Sequence, residues 1–408
     1  MKNYLLTILL ISPLWIFAQR GDVHNEGTLY VSPGTLVTAE ANFNNKATGE
    51  YTHDGEVLFR GQFNNDGLTS FTQALDGYTR FQGFHIQEIS GSIDSDFKHV
   101  LFDNPHADYS FLLSGGMYVF GETNFYQGVV DNYNYGGRMI FEQDAHHINT
   151  SDRSYVEGEV QKFGDNSFIF PVGKESMYRP GGIIQLGEMP SAFPGEYHAY
   201  NSNIHYPHQQ HAVEILEIDD KEYWTIEEHT DFGQVLITLS WDERITPHNL
   251  LDDYEALVVL TWDKIEEKWI SLGGVANPNE RIVTSIVEGQ TYDVFTLGTI
   301  RVIPEDDDFI IYNGVYPHSP TGNDYFKIVG LDNFPENRVR IYNRWGVLVF
   351  DEQRYDTNNN VFRGISEGRT TIKRGDELPV GTYFYILDYV VPETGQNKSI
   401  QGYLYLNR

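Results

Sequence analysis

The chain has no cysteine among its 408 residues. Disulfides are the usual staple of small exported domains, so stability here has to come from sizeable cores or from repetitive stacking. Long stretches with a 3.6-residue hydrophobic period are nearly absent, and residues 248–260 are the best helix candidate. Positive charge is scarce. Lys and Arg number 28 against 58 Asp and Glu, for a net charge of −30. Such a surface repels phosphate backbones and anionic lipid, which argues against nucleic-acid and membrane-surface binding. The plain reading of that charge is solubility outside the cell, and the sharper one is divalent-cation binding by clustered carboxylates. Long apolar runs are missing too, apart from residues 5–11. Lys2 precedes that run, Pro13 breaks it, and Ala18 before Gln19 suits cleavage, so residues 1–18 read as a signal peptide. No segment approaches the ~18 apolar residues of a spanning helix, so the mature chain is expected to be soluble and exported.

What is abundant is aromatic. Tyr and Phe number 27 and 25, Gly and Asn punctuate short apolar runs, and period-2 alternation recurs, which predicts an all-β protein. Three regions differ in texture. In residues 19–151, Phe43-Asn44-Asn45 returns twenty residues later as Phe63-Asn64-Asn65. Short runs follow at Phe97 to Phe102, Phe111 to Leu113, Met117 to Phe120, Gly128 to Val130 and Met139 to Phe141. Short strands joined by Asn/Gly turns suit the stacked coils of a β-solenoid, with an irregular sandwich as the alternative. Residues 152–303 carry longer alternating runs, at 167–173, 235–241 and 256–262, which predict an antiparallel β-sandwich. The stretch from Gly158-Glu159-Val160 through Phe170 to Gly173, followed by Tyr223-Trp224, resembles a segment found just before surface-sorting domains in Bacteroidetes proteins. Residues 304–308, Pro-Glu-Asp-Asp-Asp, read as a solvated acidic linker.

Beyond the linker, ordered blocks succeed one another. They are Asn313-Gly314-Val315, Asn323-Asp324-Tyr325-Phe326, Asn333-Phe334-Pro335, Asn343-Arg344-Trp345-Gly346, Phe362-Arg363-Gly364, Pro379-Val380-Gly381-Thr382-Tyr383 and Gly402 to the terminal Arg408. Their alternation predicts a small Ig-like β-sandwich, with turns at Gly346 and Gly381. By these blocks residues 309–408 resemble the gliding motility-associated C-terminal domain, the type B sorting domain of the type IX secretion system of Bacteroidetes. The resemblance implies delivery across the outer membrane to the cell surface or beyond. It also implies the type IX translocon and a PorP/SprF-like outer-membrane barrel as partners. The family commonly has a carboxylate-rich loop after its Asn-Gly-Val element. Here residues 316–324 hold one carboxylate, Asp324, and a hard cation such as calcium wants several oxygen ligands.

Other motifs have plainer explanations. Gly364-Ile365-Ser366-Glu367-Gly368 matches a nucleophile elbow, but no His follows it and its setting is all-β. His205, His208 and His211, with His198 nearby, are the weak metal candidates. Pro207 and two glutamines place them in a loop, and no catalytic zinc signature accompanies them. Arg20-Gly21-Asp22 and Arg374-Gly375-Asp376 look like adhesion tripeptides, and three common residues recur easily. Asp219-Asp220 and Glu227-Glu228 are paired acids best read as a solvated face. Trp224, Trp241, Trp262 and Trp269 suit a core or a sugar-stacking surface. No catalytic residue, cofactor or metal is predicted. The expected function is a non-enzymatic secreted or cell-surface protein with a β-rich body for adhesion, surface-matrix or gliding-associated binding to a glycan or protein. The alternatives are an accessory subunit of the outer-membrane barrel and a secreted glycan- or protein-degrading hydrolase.

Overall fold

The computed structural model describes residues 21–300 and 310–408, apart from 107–108, 188, 230–233, 290, 319–322, 345, 358, 367–374 and 393–394. The expected signal peptide and nearly all of the acidic linker's surroundings, including residues 304–308, lie outside the described residues. From Val23 onward the chain winds into a three-faced parallel β-solenoid. One face stacks seven strands, a second contributes seven to a larger sheet, and a third stacks six. The two copies of the Phe-Asn-Asn motif are neighbouring coils, with Phe43, Asn44 and Asn45 beside Phe63, Asn64 and Asn65. The irregular sandwich is thereby set aside for this region.

The motif works because its alternate residues point inward. Phe43 and Phe63 stack inside the solenoid with ring centroids 5.7 Å apart. On the third face Phe59, Phe81, Phe102 and Phe125 form a second stack, at 5.6, 5.9 and 5.5 Å. Each buried Phe is worth about 1.5–3 kcal/mol in area removed from water, and stacking adds to that. The second Asn of the motif turns inward at a corner. Asn25 Nδ2 donates to Asn45 Oδ1 and Asn45 Nδ2 donates to Asn65 Oδ1, both at 2.8 Å. Asn45 Nδ2 also donates to the Leu68 carbonyl, and Asn65 Nδ2 to those of Ile93 and Asp94. The ladder stops at Gly91, in the left-handed half of backbone space, where a Cβ would run into the backbone of Asn65.

The last coil runs past residue 151, the expected end of this region. Val156–Glu157 and Val160–Gly164 still pair in parallel with the coil before them. Val160–Gly164 then takes an antiparallel neighbour, Ser191–His198, and the sheet continues into the sandwich. Tyr223–Ile226, Val294–Ile300, Leu257–Asp263 and Lys268–Ser271 follow in order, and Ile215–Ile218 pairs with Val294–Ile300 off that path, making a sheet of thirteen strands. The facing sheet orders Phe168–Ile169, Gly181–Gln185, Val235–Ser240, Ile282–Thr284 and Val275–Asn277. One hydrophobic core runs from Val31 in the solenoid to Leu297 in the sandwich. The helix expected over 248–260 is one turn, His248–Leu251. After a 3-10 turn at Tyr254–Ala256, its last four residues are drawn into the strand Leu257–Asp263, whose six buried residues from Leu257 to Trp262 are stabilised more in a sheet covered on both sides.

The C-terminal region builds its own core around Phe326, Phe350, Tyr355, Phe362 and Tyr385. Its main sheet orders Gly314–Val315, Gln396–Leu406, Gly381–Val391, Asn337–Tyr342 and Leu348–Gln353, and a short ribbon joins Ile310–Ile311 to Ile328–Val329. Buried Tyr405 packs outside that core, with Leu236, Val275 and Ile286 of the sandwich.

Among the described residues the sandwich interior holds one buried ion pair. Arg179 binds Glu222 through two hydrogen bonds, of 2.9 and 2.6 Å, with both side chains at most 1% exposed. Tyr197 and Thr246 hydroxyls donate to the same carboxylate, at 2.9 and 2.7 Å. Asp219 lies beside them, fully buried, and burial followed by repulsion from Glu222 holds its carboxyl well above the ordinary range.

These interiors make three expectations. Asn45→Ala removes the central rung of the ladder and strands its neighbours' polar atoms, so thermal or urea unfolding should show a loss of about 1–3 kcal/mol; no measurable loss would sink the ladder's role. His53, buried in the solenoid, has its pKa pushed down to about 4 by burial. A base depressed in this way keeps its full contribution above about pH 6.5 and loses it as pH falls toward 4, up to about 3 kcal/mol. Stability measured across that window should therefore fall less steeply in His53→Phe than in the wild type. Glu222→Ala leaves a buried guanidinium unpaired and should cost about 3–5 kcal/mol by denaturant titration.

Candidate functional site

The sorting-motif residues expected from the sequence form the frame of the C-terminal domain. Gly314 pairs with Tyr405, and the Tyr405 amide donates to the Asn313 carbonyl at 2.8 Å. Asn323 accepts from the Tyr316 amide, and Asp324 accepts from Arg363. Asn343 closes the turn at Gly346 by accepting the Val347 amide on its side chain, while Arg344 donates to the Leu186 carbonyl of the sandwich. Trp345 lies outside the described residues. Tyr383 reaches back to the Pro379 carbonyl at 2.8 Å, and Gly381 and Thr382 open the long strand that follows. A Cβ on Gly402 would strike the Tyr385 ring. Arg408 donates to the Gly364 carbonyl at 2.9 Å and pairs with Glu377.

The other sequence candidates part company. His208 bonds Ser202 at 2.8 Å and lies against Trp269, His211 faces the Ala212 carbonyl, and His205 lies near Tyr200. Among the described residues no three His, Asp or Glu side chains converge as metal ligands. Ser366 is buried, its amide bonded to the Asp376 carbonyl beside the bridge partners Ile365 and Glu377, and Glu367 and Gly368 of the motif lie outside the described residues. Arg20 and Arg374 of the two tripeptides lie outside the described residues. Asp219 is buried rather than solvated, and Glu228 accepts from Ser191. Trp224, Trp241, Trp262 and Trp269 are all core residues, which leaves sugar stacking to other rings.

A constellation that single-sequence reading missed sits where the solenoid hands over to the sandwich. The hairpin of Gly173–Lys174 and Met177–Tyr178 lies beside the strands Val156–Glu157 and Ser191–His198. It places Lys174 at the centre. The Lys174 ammonium is 3.9 Å from the centroid of Tyr133 and 3.8 Å from Glu157, and Tyr109 donates to the same carboxylate at 2.7 Å. On the sandwich side His198 stacks on Tyr223 at 4.4 Å and bonds Thr225, while Tyr223 donates to Tyr200 at 2.5 Å. Burial first, with help from Lys174 and His205, pushes His198 down to about 4, so its ring is neutral near pH 7. Glu196 is held above the ordinary carboxylate range, first by partial burial and then by repulsion from Glu159, against the pull of Lys174. Tyr133 and Tyr200 stay 58% and 40% exposed around this centre. The resemblance noted at Gly158 to Gly173 and Tyr223 runs through it, but nothing in residue spacing alone joins Tyr133 to Lys174.

Charge divides the chain sharply. Residues 309–408 hold eleven basic and eleven acidic side chains, so the whole net charge of −30 belongs to the rest. No curated protein and no solved structure matches the chain. Residues 309–406 match the CHU_C type IX secretion signal domain, the region whose frame is described above. With that domain at its C-terminal end, the chain is a type IX secretion substrate, destined for the cell surface or the extracellular space.

Proposed function

We propose that the exported body is a non-enzymatic surface-binding module, serving adhesion, surface-matrix or gliding-associated contacts. The observation that carries this reading is the pairing of a sorting domain with a body whose solenoid and sandwich share one core. Such a body is a stiff support, and stiff sheet faces present side chains for binding with little ordering cost. Its negative charge favours neutral or basic ligands and weakens contact with polyanions at low ionic strength. We assign the type IX translocon and a PorP/SprF-like barrel as the partners of the sorting domain. Its near-zero charge supports that assignment, because contact with it does not have to overcome the repulsion the body carries.

Delivery is tested by fusing residues 309–408, behind the signal peptide and with any companion barrel, to a fluorescent cargo in a type IX-competent host. The cargo should reach the surface or the medium. A folded cargo held in the periplasm would refute sufficiency of the domain.

A further inference from the structure

We propose that the junction centred on Lys174 is a binding site for an uncharged glycan chain. The inference rests on the reading of the body as a binding module, and it names both the place and the ligand class. A sugar ring offers two things, an apolar face of C–H bonds and a rim of hydroxyls that donate and accept. The junction offers the matching pair. Tyr133 on the solenoid side and Tyr200 on the sandwich side present exposed ring area. Between them stand the Lys174 ammonium, the Glu196 carboxyl, the neutral His198 ring and the Thr225 hydroxyl. Aromatic area framing a few convergent polar groups is how small polar ligands are oriented.

The side chains are held in place before any ligand arrives. Lys174 lies over Tyr133, Glu157 is held from both sides by Tyr109 and Lys174, and His198 is clamped between Tyr223 and Thr225. The supports are two sheets and a hairpin of the shared framework, so little conformational entropy remains to be lost on binding.

Charge narrows the ligand. A polyanion would meet Glu157, Glu159 and Glu196 on a strongly negative body, and Glu196 is already disfavoured as an anion. A basic peptide would meet Lys174 at the centre, and Glu157 has spent its oxygens on Lys174 and Tyr109. A neutral chain of hexoses or pentoses pays neither penalty.

The test uses the full mature chain, with affinity electrophoresis and calorimetry against soluble mixed-linkage β-glucan, galactomannan, xylan and dextran, and polygalacturonate as the anionic probe. At least one neutral polysaccharide should bind. Tyr133→Ala and Tyr200→Ala should each weaken that binding about tenfold, equivalent to about 1.4 kcal/mol. Lys174→Met should weaken it as well. Tyr30→Ala, which removes an exposed tyrosine in the first coil, should leave it unchanged. Circular dichroism of each variant checks that it has folded. Neutral binding that ignores all three junction variants would overturn the site and leave the binding module standing. Binding of polygalacturonate alone, or of an outer-surface protein in place of every neutral polysaccharide, would overturn the ligand class and likewise spare the module. Failure to bind any of these probes would overturn both.

Discussion

A parallel solenoid can satisfy its backbone only by having a neighbour on each side of every coil, and its last coil has none of its own kind. The pairing of Val160–Gly164 with Ser191–His198 answers that constraint. The strand that closes the solenoid is the same strand that opens the sandwich. An exposed edge with unpaired amides and carbonyls would invite another chain, so covering it is a structural necessity. From that pairing follow the thirteen-strand sheet and the single core from Val31 to Leu297. The two expected domains of the body are therefore one packed unit in which coil and sandwich share side-chain contacts.

The corner asparagines, Lys162 and the Arg179–Glu222 pair are tolerated inside that unit because they find partners of the right geometry. The asparagine ladder exchanges amide hydrogen bonds from coil to coil and hands its last donors to main-chain carbonyls. Lys162, buried in the last coil, gives its ammonium to the carbonyls of Glu142, Gln143 and Ala145. Arg179 and Glu222 do the same deeper in the sandwich, with Tyr197 and Thr246 filling the remaining acceptor positions. In a chain without disulfides, these networks and the phenylalanine stacks supply the specificity that cross-links supply elsewhere.

The sorting domain stands apart in two physical respects. Its core is separate from that of the body, and its charge balances. It still leans on the sandwich. Tyr405 fills a patch formed by Leu236, Val275 and Ile286, and Thr382 and Arg344 donate to carbonyls there. Leu236 points away from the sandwich core, and this cover buries it. The junction around Lys174 is a consequence of the same economy of edges. The hairpin that carries it fills the corner left where parallel coils turn into antiparallel strands.

Much of this was legible in the residues. Period-2 alternation and the scarcity of helical periodicity gave an all-β class, and Phe43-Asn44-Asn45 with Phe63-Asn64-Asn65 marked two coils in true register. The ordered blocks after residue 309 identified the sorting domain, because local turn and strand chemistry is written in contiguous residues. What the sequence concealed is what depends on distant segments meeting. The four tryptophans could not be divided between core and surface without knowing which sheet faces are covered. Residues 257–260 hold helix-compatible side chains, yet burial on both faces of a sheet outweighs local propensity there. Asp219 looks solvated beside Asp220 and is buried, since its neighbours in space are Glu222 and Arg179. Lys174, Tyr133, Glu157, Glu196 and His198 belong to separate turns and strands, and only the tertiary handover from solenoid to sandwich brings them together, because side-chain chemistry is local while proximity is a property of the folded chain.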